Sequence, residues 1–246
     1  FFKPSEGCIH VFHELSIKLV DEICPLGQST VVVDTLSTQD HRHGKLSPDA
    51  FHTELVSGND FVLMDTRNYY ESNIGYFENA IRPPIRKFSQ LPAYIERNKQ
   101  VLQGKKILTY CTGGIRCEKA TAYMRQALPE NDIFMLDGGI HNYLEWYKQS
   151  ERKEHVWLGK NYVFDARQSL GSGPVVSCCQ SCQQPWDQYK KCMSTGCHLL
   201  VLLCDACCQK TEGGVYCCTE CQQQNQAGYC YCEKKRKQKE LECIHI

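Results

Sequence analysis

The chain has 246 residues with 28 basic and 28 acidic side chains, so its formal net charge is zero. A chain of this length holds one sizeable domain and a smaller module, and its balanced charge excludes a global basic field that would attract nucleic acid. It contains neither an apolar run long enough to cross a membrane nor a secretory signal, so no membrane partner is expected. Because the sequence begins at Phe1 without a methionine, we expect it to be a fragment of a longer protein.

The N-terminal segments are predicted to precede the main domain. Apolar and polar residues alternate within HELSIKLVDEI, a pattern typical of a half-buried strand. We interpret residues 1–27 as the end of a truncated N-terminal domain and residues 28–43 as a polar linker. Ser47 then offers an N-cap and Pro48 a first helical position, so a helix is expected to begin there.

Strands alternate with helices across residues 44–150. Short apolar runs at 61–64, 107–110 and 133–136 have the composition of strands that are buried on both faces. Helical segments separate these runs, including one at 89–98. The alternation predicts an α/β fold, a parallel sheet with helices on both faces, in which functional loops lie at the carboxyl ends of the strands.

The strongest candidate site lies in ILTYCTGGIRCEKATAYMRQA, which begins at Ile107. The pattern predicts a strand, a glycine-bearing loop from Cys111 to Arg116, and a helix from about Glu118 to Leu128. Cys111 would then face the first amides of a helix, which are unpaired donors with partial positive charge and stabilise an anion. We expect Cys111 to be a nucleophile with more thiolate character than a free cysteine.

The residues after Cys111 are suited to hold a charged group on its sulfur. Glycines let the backbone curl so that several N–H groups point inward, and Arg116 adds a fixed cation. We predict an anion cradle made by the four intervening loop residues Thr112, Gly113, Gly114 and Ile115. This Cys-x4-Arg loop is one residue shorter than the Cys-x5-Arg loop of cysteine phosphatases, so a persulfide sulfur fits it better than a phosphoryl group.

Three other residues near the loop keep two interpretations open. Cys117 is either a packing residue or a second thiol that resolves an oxidised or persulfidated Cys111 as a disulfide. Asp65 and Arg67 follow the strand at 61–64, and a carboxylate and a guanidinium at strand ends usually tie loops together. We favour that supporting role, with Arg67 facing the sulfur site as the alternative.

Several motifs together resemble rhodanese domains, in which the loop cysteine carries a sulfane sulfur as a persulfide. Besides the loop itself, an Asp-x-Arg motif at Asp65, a Tyr-Glu pair at Tyr70 and a glycine-led segment at Gly75 follow in the order found in that family. Tyr76 stands where those domains usually have a histidine. The resemblance implies a rhodanese-like fold for residues 44–150.

Longer strings resemble a narrower group, the rhodanese-domain tRNA uridine hydroxylases of bacteria and their eukaryotic relatives. These strings are LSPDAFH, CTGGIRCEKA, GGIHNYL and GKNYVFDARQSLG. The resemblance implies tRNA as the partner and hydroxylation of a wobble uridine with molecular oxygen, with the loop cysteine essential. Two alternatives stay open: a sulfurtransferase that passes sulfane sulfur from Cys111 to a small thiol or cyanide, and a non-catalytic rhodanese binding module.

Thirteen of the 18 cysteines lie between Cys178 and Cys232. A CxxC pair places two thiolates on one turn, from which both reach a tetrahedral Zn²⁺. We predict a zinc-binding module at residues 176–232, after a connector at 151–175 and before a basic tail at 233–246. Two structural Zn²⁺ ions are expected, no organic cofactor is evident, and the eight predicted ligands are Cys179, Cys182, Cys192, Cys197, Cys204, Cys207, Cys218 and Cys221.

The pairing of these ligands is predicted to be interleaved, with the first and third pairs on one metal and the second and fourth on the other. Neighbouring Cys178, Cys208, Cys217 and His198 leave the register open by one residue. Disulfides and an iron–sulfur cluster are the competing interpretations. Clustered thiols beside a reactive thiol loop favour a reducing compartment, so an intracellular, cytoplasmic location is predicted. The basic tail is interpreted as a solvated helix end.

Overall fold

The computed structural model describes residues 17–28, 30–31, 33, 41–211, 214–223 and 230–242. The strands in this part of the chain are β1 His43–Leu46, β2 Val62–Asp65, β3 Gly75–Phe77, β4 Lys106–Tyr110, β5 Asp132–Leu136, β6 Trp157–Gly159, β7 Asn161–Tyr162, β8 Ser169–Leu170, β9 Tyr189–Lys191 and β10 Leu200–Leu202. The helices are α1 Pro48–Val56, α2 Tyr69–Ser72, α3 Leu91–Arg97, α4 Lys99–Leu102, α5 Ile115–Ala127, α6 Gly139–Gln149, α7 Asp205–Lys210, α8 Thr219–Gln222 and α9 Tyr231–Leu241, with a 3₁₀ turn at Phe88–Gln90.

The main sheet has four strands in the order β1-β5-β4-β2, and every pair in it is parallel. The alternation of strands and helices therefore predicted the fold class, and the parallel α/β fold is confirmed. β4 lies between β5 and β2, and all of its residues except Lys106 are buried. The loop after β4 consequently emerges from the middle of the sheet at its carboxyl edge, where α/β folds place their sites.

Helices cover both faces of the sheet. On one face, Met64, Ile107 and Met124 belong to the apolar core that includes residues of α3, α4 and α5. On the other face, Phe51 of α1 and Tyr143 of α6 pack with residues of β4 and β5. Each face buries a separate apolar cluster, so the sheet is held from both sides by the hydrophobic effect.

The N-terminal segment differs from the prediction. No strand forms at residues 17–28. Ile17 and Leu19 are 85% and 104% exposed, so the alternation of buried and exposed positions that a half-buried strand requires is missing. The first part of the predicted strand lies outside the described residues. Leu26 is fully buried in the domain core and Glu22 pairs with Lys119 of α5 at 2.5 Å. The segment therefore packs on the α/β domain through its end near Leu26.

Residues after α6 also bind back to the domain. β6 pairs antiparallel with β3, and a Cβ on Gly75 would lie 2.2 Å from the Lys160 carbonyl oxygen. Only glycine permits this approach of the two backbones. At the end of the chain, α9 buries Arg236, which donates to the Pro84 carbonyl at 2.7 Å and pairs with Glu233 at 2.8 Å. The tail is thus a docked helix, where a solvated helix end was predicted.

The cysteine-rich region forms its own small core. β9 and β10 pair as an antiparallel hairpin, and buried Leu199, Val201 and Leu203 pack with the cysteines around them. Its helices α7 and α8 are short, so side-chain clustering has to supply most of the stability. Among the described residues, no helix combines the length and the apolar character that crossing a bilayer requires.

Candidate active site and cysteine clusters

Cys111 lies directly after β4, at the start of the loop that leads into α5. The side chain is almost completely buried, with the whole residue 1% exposed. The backbone N–H of Gly114 donates to its Sγ at 3.1 Å. Gly114 has a φ of 90° and precedes the first residue of α5, so the helix starts three residues earlier than predicted. The turn at Gly114 is what aims a backbone donor at the sulfur.

The surroundings of Cys111 favour its thiolate. Burial acts to raise the pKa of the thiol, but the Cys117 thiol, the Arg116 charge and the backbone N–H groups of Cys117 and Gly114 together lower it to about 6. A free cysteine has a pKa near 8.5. Cys111 is therefore largely ionised at neutral pH, as a nucleophile or an acceptor of sulfur requires.

Arg116 is held in place by Glu71, a residue that was not among the predicted site residues. The guanidinium makes a bidentate pair with the fully buried Glu71 carboxylate at 2.6 and 2.7 Å. Thr112 completes the arrangement, accepting from Arg116 at 3.0 Å and donating to Glu71 at 3.2 Å. Glu71 belongs to the Tyr-Glu pair of the family motif, and this motif was the sequence signal that could have identified it as a site residue.

The turn between β5 and α6 packs against the backbone of the Cys111 loop. Ile140 and His141 donate their backbone N–H groups to the carbonyls of Cys111 and Thr112 at 2.9 and 3.0 Å. Gly139 has a φ of 67°, and a Cβ there would lie 2.5 to 2.8 Å from loop backbone atoms. The loop is thus clamped between α5 and a glycine turn, which fixes its donors before any substrate binds.

Cys117 lies in the first turn of α5 and is completely buried beside Cys111. Burial and the neighbouring Cys111 raise the pKa of its thiol well above the usual value. Thr66 lies 3.4 Å from its sulfur. The two sulfurs therefore share one proton: Cys111 carries the charge and Cys117 the hydrogen. This geometry permits both roles that the sequence left open, packing and resolution.

Asp65 and Arg67 form a buried ion pair with an Nη2–Oδ2 distance of 2.6 Å. Arg67 also donates to the Gly75 carbonyl at 2.7 Å, and its guanidinium lies over the rings of Tyr110 and Trp157 at 5.6 and 5.7 Å. These contacts join β2, β3 and β6. They are contacts of a loop-tying pair, the interpretation that the sequence favoured.

The other two cradle residues, Gly113 and Ile115, are both exposed to solvent. Ile115 is 51% exposed at the start of α5, and Gly113 is also exposed. A Cβ on Gly113 would meet no atom within 4 Å. There is consequently open space on the Cβ side of Gly113, although its backbone nitrogen lies next to Gly139.

A pocket of about 480 Å³ lies beside the loop, with Arg116 in its wall. Its other walls bring together basic and aromatic side chains from separate parts of the chain and a half-buried thiol; the relevant residues are Cys24, Tyr70, Arg86, Lys87 and Phe164. Phe164 is 60% exposed, and the Arg116 guanidinium lies 5.7 Å from its ring centroid. A larger pocket of about 540 Å³ lies between α6 and residues 155–174, but neither a cysteine nor Arg116 lines it.

The lowered pKa of Cys111 predicts how its alkylation depends on pH. We expect the rate of reaction with iodoacetamide to rise through about pH 6 and to level off above pH 7, because the thiolate is the reacting form. Cys117→Ala removes a donor to the thiolate, worth about 1.5 kcal/mol, and should move the midpoint up by about one pH unit. Mass spectrometry of the Cys111 peptide measures the midpoint, because restricted access to the sulfur slows alkylation by the same factor at every pH. Cys117→Ser keeps a donor and should shift it less.

Four of the predicted metal ligands form one group. The sulfurs of Cys179, Cys182, Cys204 and Cys207 all lie within 4.8 Å of one another. Cys182 and Cys204 are 3.7 Å apart, and the backbone N–H of Cys204 donates to the Cys179 sulfur at 3.3 Å. Four thiolates around one ion at about 2.3 Å would be separated by about 3.8 Å. The donor set and its spacing suit a metal ion, and the grouping is the interleaved one expected from the first and third pairs.

The remaining four predicted ligands are distributed over two overlapping groups. Cys192, Cys197 and Cys221 gather with Cys217, while Cys218 lies with Cys217, Cys221 and Cys230. Cys217 thus occupies the position predicted for Cys218, a shift of one residue. Cys230 was not predicted to be a ligand, because several residues separate it from the CxxC pairs in sequence. Its position at the start of α9 places it next to Cys217 and Cys221.

Comparison with known protein families identifies two regions. The family described as "Rhodanese-like domain" matches residues 47–145, and the family described as "Rhodanase C-terminal" matches residues 158–222. The first covers β2, β4 and β5 of the parallel sheet with the Cys111 loop and begins directly after β1. The second covers the cysteine groups up to α8, together with Phe164 in the pocket wall.

Curated relatives resemble the chain along most of its length. The chain is 36% identical over 233 residues to the Rhodanese-like domain-containing protein 6 of Arabidopsis thaliana, covering 89% of this chain and 38% of that protein. It is 39% identical over 217 residues to the tRNA uridine(34) hydroxylase of Leptospira interrogans, covering 86% and 55%. For the enzyme of that name from Citrobacter koseri, identity is 42% over 169 residues, covering 68% and 46%. The chain spans about half, or less, of the length of each of these relatives.

Proposed function

Because residues 47–145 form a rhodanese-like domain, we propose that the chain is the catalytic part of an enzyme that modifies a tRNA uridine through Cys111. One observation carries this proposal: a buried cysteine with a pKa lowered to about 6 lies in a loop whose Arg116 lines a basic, aromatic pocket. Relatives named tRNA uridine(34) hydroxylase supply the substrate and the position of the uridine. The wobble uridine is thus the proposed target and hydroxylation the proposed reaction.

The proposed role of Cys111 follows from its surroundings. Its thiolate is stabilised by the Gly114 N–H and by Arg116, so it acts as nucleophile or redox centre at neutral pH. Cys117, buried beside it, is the resolving thiol. If a peroxide oxidises Cys111 to a sulfenic acid, the Cys117 sulfur attacks the Cys111 sulfur, its proton passes to the departing hydroxyl group, a disulfide forms and water leaves. Two external thiols then reduce the disulfide, are themselves joined as a disulfide, and restore both cysteines.

The pocket beside the loop has the chemistry of a nucleotide site. RNA-binding proteins hold phosphates with Arg and Lys and stack unpaired bases on aromatic rings. Here exposed Lys87 supplies positive charge, while the exposed ring of Phe164 offers a stacking surface next to Arg116. We propose that the uridine enters this pocket after leaving the anticodon stack, which places it beside the Cys111 loop.

A sulfurtransferase is the second candidate, favoured by the size of the loop. In that reaction the Cys111 thiolate attacks the outer sulfur of thiosulfate, the S–S bond breaks, sulfite leaves and a persulfide remains on Cys111. An acceptor thiolate or cyanide then takes the outer sulfur and regenerates the Cys111 thiolate. The Gly114 N–H that already points at Sγ would stabilise this anionic persulfide. The third candidate, a binding module without catalysis, does not explain why the fold maintains an ionised thiol beside Arg116.

We further propose that the cysteine groups hold structural Zn²⁺. Cys179, Cys182, Cys204 and Cys207 would bind one ion, and a second group centred on Cys217 would bind another. Thiolate sites of this kind fold small domains that lack a large apolar core. The metal would fix the module against the rhodanese-like domain, since Arg86 donates to the Cys197 carbonyl at 2.7 Å.

Nucleoside mass spectrometry of tRNA tests the proposed function. Cells that lack the protein are compared with the same cells expressing the full-length wild type, grown with ¹⁸O-labelled oxygen gas. We expect one uridine species, heavier than uridine by one labelled oxygen, to disappear without the protein and to return with it. A species heavier by one sulfur would identify tRNA thiolation by sulfur transfer instead. An unchanged nucleoside profile would contradict the tRNA proposal and favour sulfur transfer to small thiols.

A further inference from the structure

The C-terminal helix α9 separates its charged side chains onto two sides. Glu233 and Arg236 are 5% and 7% exposed, and Arg236 pairs with Glu233 and with Glu240 at 2.8 Å each. Both acidic side chains of the helix are therefore neutralised on its inner side. We call the opposite side the basic face, and it consists of the exposed residues Tyr231, Lys234, Lys235, Gln238 and Lys239.

The members of the basic face have the spacing of one side of a helix. They stand at positions i, i+3, i+4, i+7 and i+8, which neighbour each other on a helix surface. No acidic residue lies among them, and none of the three lysines forms a salt bridge with the described residues. The basic face therefore creates a local positive field, although the net charge of the whole chain is zero.

Contacts at its start and along its inner side fix α9 on the rest of the protein. The sulfur of Cys230, directly before the helix, belongs to one of the cysteine groups. The backbone N–H of Tyr231 donates to the Glu220 carboxylate at 2.7 Å, and Arg236 donates to the Pro84 carbonyl at 2.7 Å. An isolated helix of 11 residues is marginal in water, so these contacts hold the basic face in a fixed position.

The segment on which α9 packs also forms part of the pocket beside the Cys111 loop. This segment is residues 84–90, in which Arg86 pairs with Glu233 of α9 at 3.7 Å. Arg86 and the exposed Lys87 are at the same time wall residues of the pocket. One short segment therefore joins α9 to the pocket, and Lys87 adds a further exposed cation to it.

We propose that the basic face binds the sugar–phosphate backbone of the tRNA whose uridine enters the pocket. The inference rests on the proposed function and adds a contact surface outside the active site. Lysines bind phosphates as point charges, and tyrosine and glutamine side chains also donate hydrogen bonds to nucleic-acid backbones. Phosphate contacts carry no sequence information, so α9 holds the tRNA near the pocket and leaves the recognition of uridine to the pocket.

An RNA backbone fits the basic face better than a membrane surface does. A helix that lies on a membrane needs a broad apolar side to enter the lipid. On α9 the exposed apolar side chains are Tyr231 and Leu241, which lie at opposite ends of the helix. The exposed side chains between them are lysines and an amide, a composition suited to the repeated phosphates of a strand.

A triple variant with Lys234→Gln, Lys235→Gln and Lys239→Gln removes the charge of the basic face. Glutamine is a good helix former and the three positions are exposed, so the fold should be retained. Each lost phosphate contact lowers the slope of log K against log salt by about 0.7 to 0.9. Three lost contacts should lower this slope by about two to three and weaken tRNA binding on the order of 100-fold at about 150 mM salt.

A matched control makes the same change of charge elsewhere, at the exposed lysines Lys148, Lys153 and Lys210. Fluorescence anisotropy of labelled tRNA with the full-length protein, over a series of salt concentrations, measures the affinity and the slope. We expect the control to bind like the wild type, and both triple variants to keep the pH profile of Cys111 alkylation, which shows an intact loop.

The other outcomes separate this inference from the proposed function. If the α9 variant binds tRNA like the wild type, the role of α9 is overturned and the proposed function stands. If the wild type itself binds no tRNA, both are overturned. If the α9 variant keeps its tRNA affinity but loses binding to vesicles of phosphatidylserine or to polyglutamate, the basic face serves a membrane or an acidic protein and the inference is overturned.

Discussion

Replacing Cys111 by serine is expected to abolish uridine modification in cells rescued with the full-length variant. The hydroxyl of serine stays protonated at neutral pH, so the Gly114 N–H and Arg116 have no anion to stabilise. Loss of a catalytic nucleophile lowers turnover by a factor on the order of 10³ or more. Nucleoside mass spectrometry should show the same profile as in cells without the protein. Full modification by Cys111→Ser would contradict both enzyme proposals.

A second variant, Cys117→Ser, tests whether Cys117 acts as a resolving thiol. Serine preserves a donor beside the Cys111 sulfur but cannot form a disulfide, so it separates the two roles that the geometry permits. We expect tRNA modification to be lost while transfer of sulfur from thiosulfate to cyanide, measured on the purified protein, stays within several-fold of the wild type. If both activities survive, Cys117 is a packing residue. Thr121→Ser, at another buried helix position, controls for small changes in packing.

The sequence predicted the Cys111 loop well because its determinants are local. A strand, two glycines and a helix follow one another within a short stretch, and local sterics decide where the chain turns. The helix start was misplaced because Gly114 adopts a positive φ and lets α5 begin at Ile115. The fold class was equally accessible, since the apolar runs that became β2, β4 and β5 are buried on both faces of a parallel sheet.

The site residues that the sequence did not predict contact partners that are distant in sequence. Glu71 lies 45 positions before Arg116, and no local pattern indicates that its carboxylate is the one that holds the guanidinium. Cys24 reaches the pocket because Leu26 is buried in the core nearby, while the pattern in that region suggested a strand. Phe164 belonged to a recognised string, but its position beside Arg116 depends on the fold of the connector.

One cysteine group could be predicted from the sequence and the other only in part. CxxC spacing is a local property, so the set formed by Cys179 and its three partners could be read from sequence. Adjacent cysteines at 217 and 218 are indistinguishable by spacing, and the choice between them depends on which sulfur the turn before α8 directs inward. Cys217 is 2% exposed, and Cys218 is only half-buried. Burial, which spacing does not encode, separates the two.

The second large effect is expected at Glu71, whose carboxylate holds Arg116 in the loop. Removal of one partner from a buried ion pair leaves an uncompensated charge and costs about 3–5 kcal/mol. The side chain of Glu71 is fully buried and that of Arg116 is 11% exposed, so Glu71→Ala should lower the free energy of unfolding by about this amount. Asn68 also loses the acceptor of its backbone N–H, now 3.1 Å away. Denaturation followed by tryptophan fluorescence measures the change, with Glu78→Ala as an exposed control.

A double variant distinguishes the buried charge from a simple loss of packing. If the cost of Glu71→Ala comes from the unpaired guanidinium, then Arg116→Met in the same chain removes that charge and should restore most of the lost stability. The double variant should nevertheless be inactive, because the Cys111 thiolate loses its cation and its pKa rises. If the double variant lost as much stability as the two single variants together, the ion-pair explanation would be contradicted. Recovery of stability without activity would show that the pair is maintained for the chemistry of the loop, since an apolar substitute is sufficient for the fold.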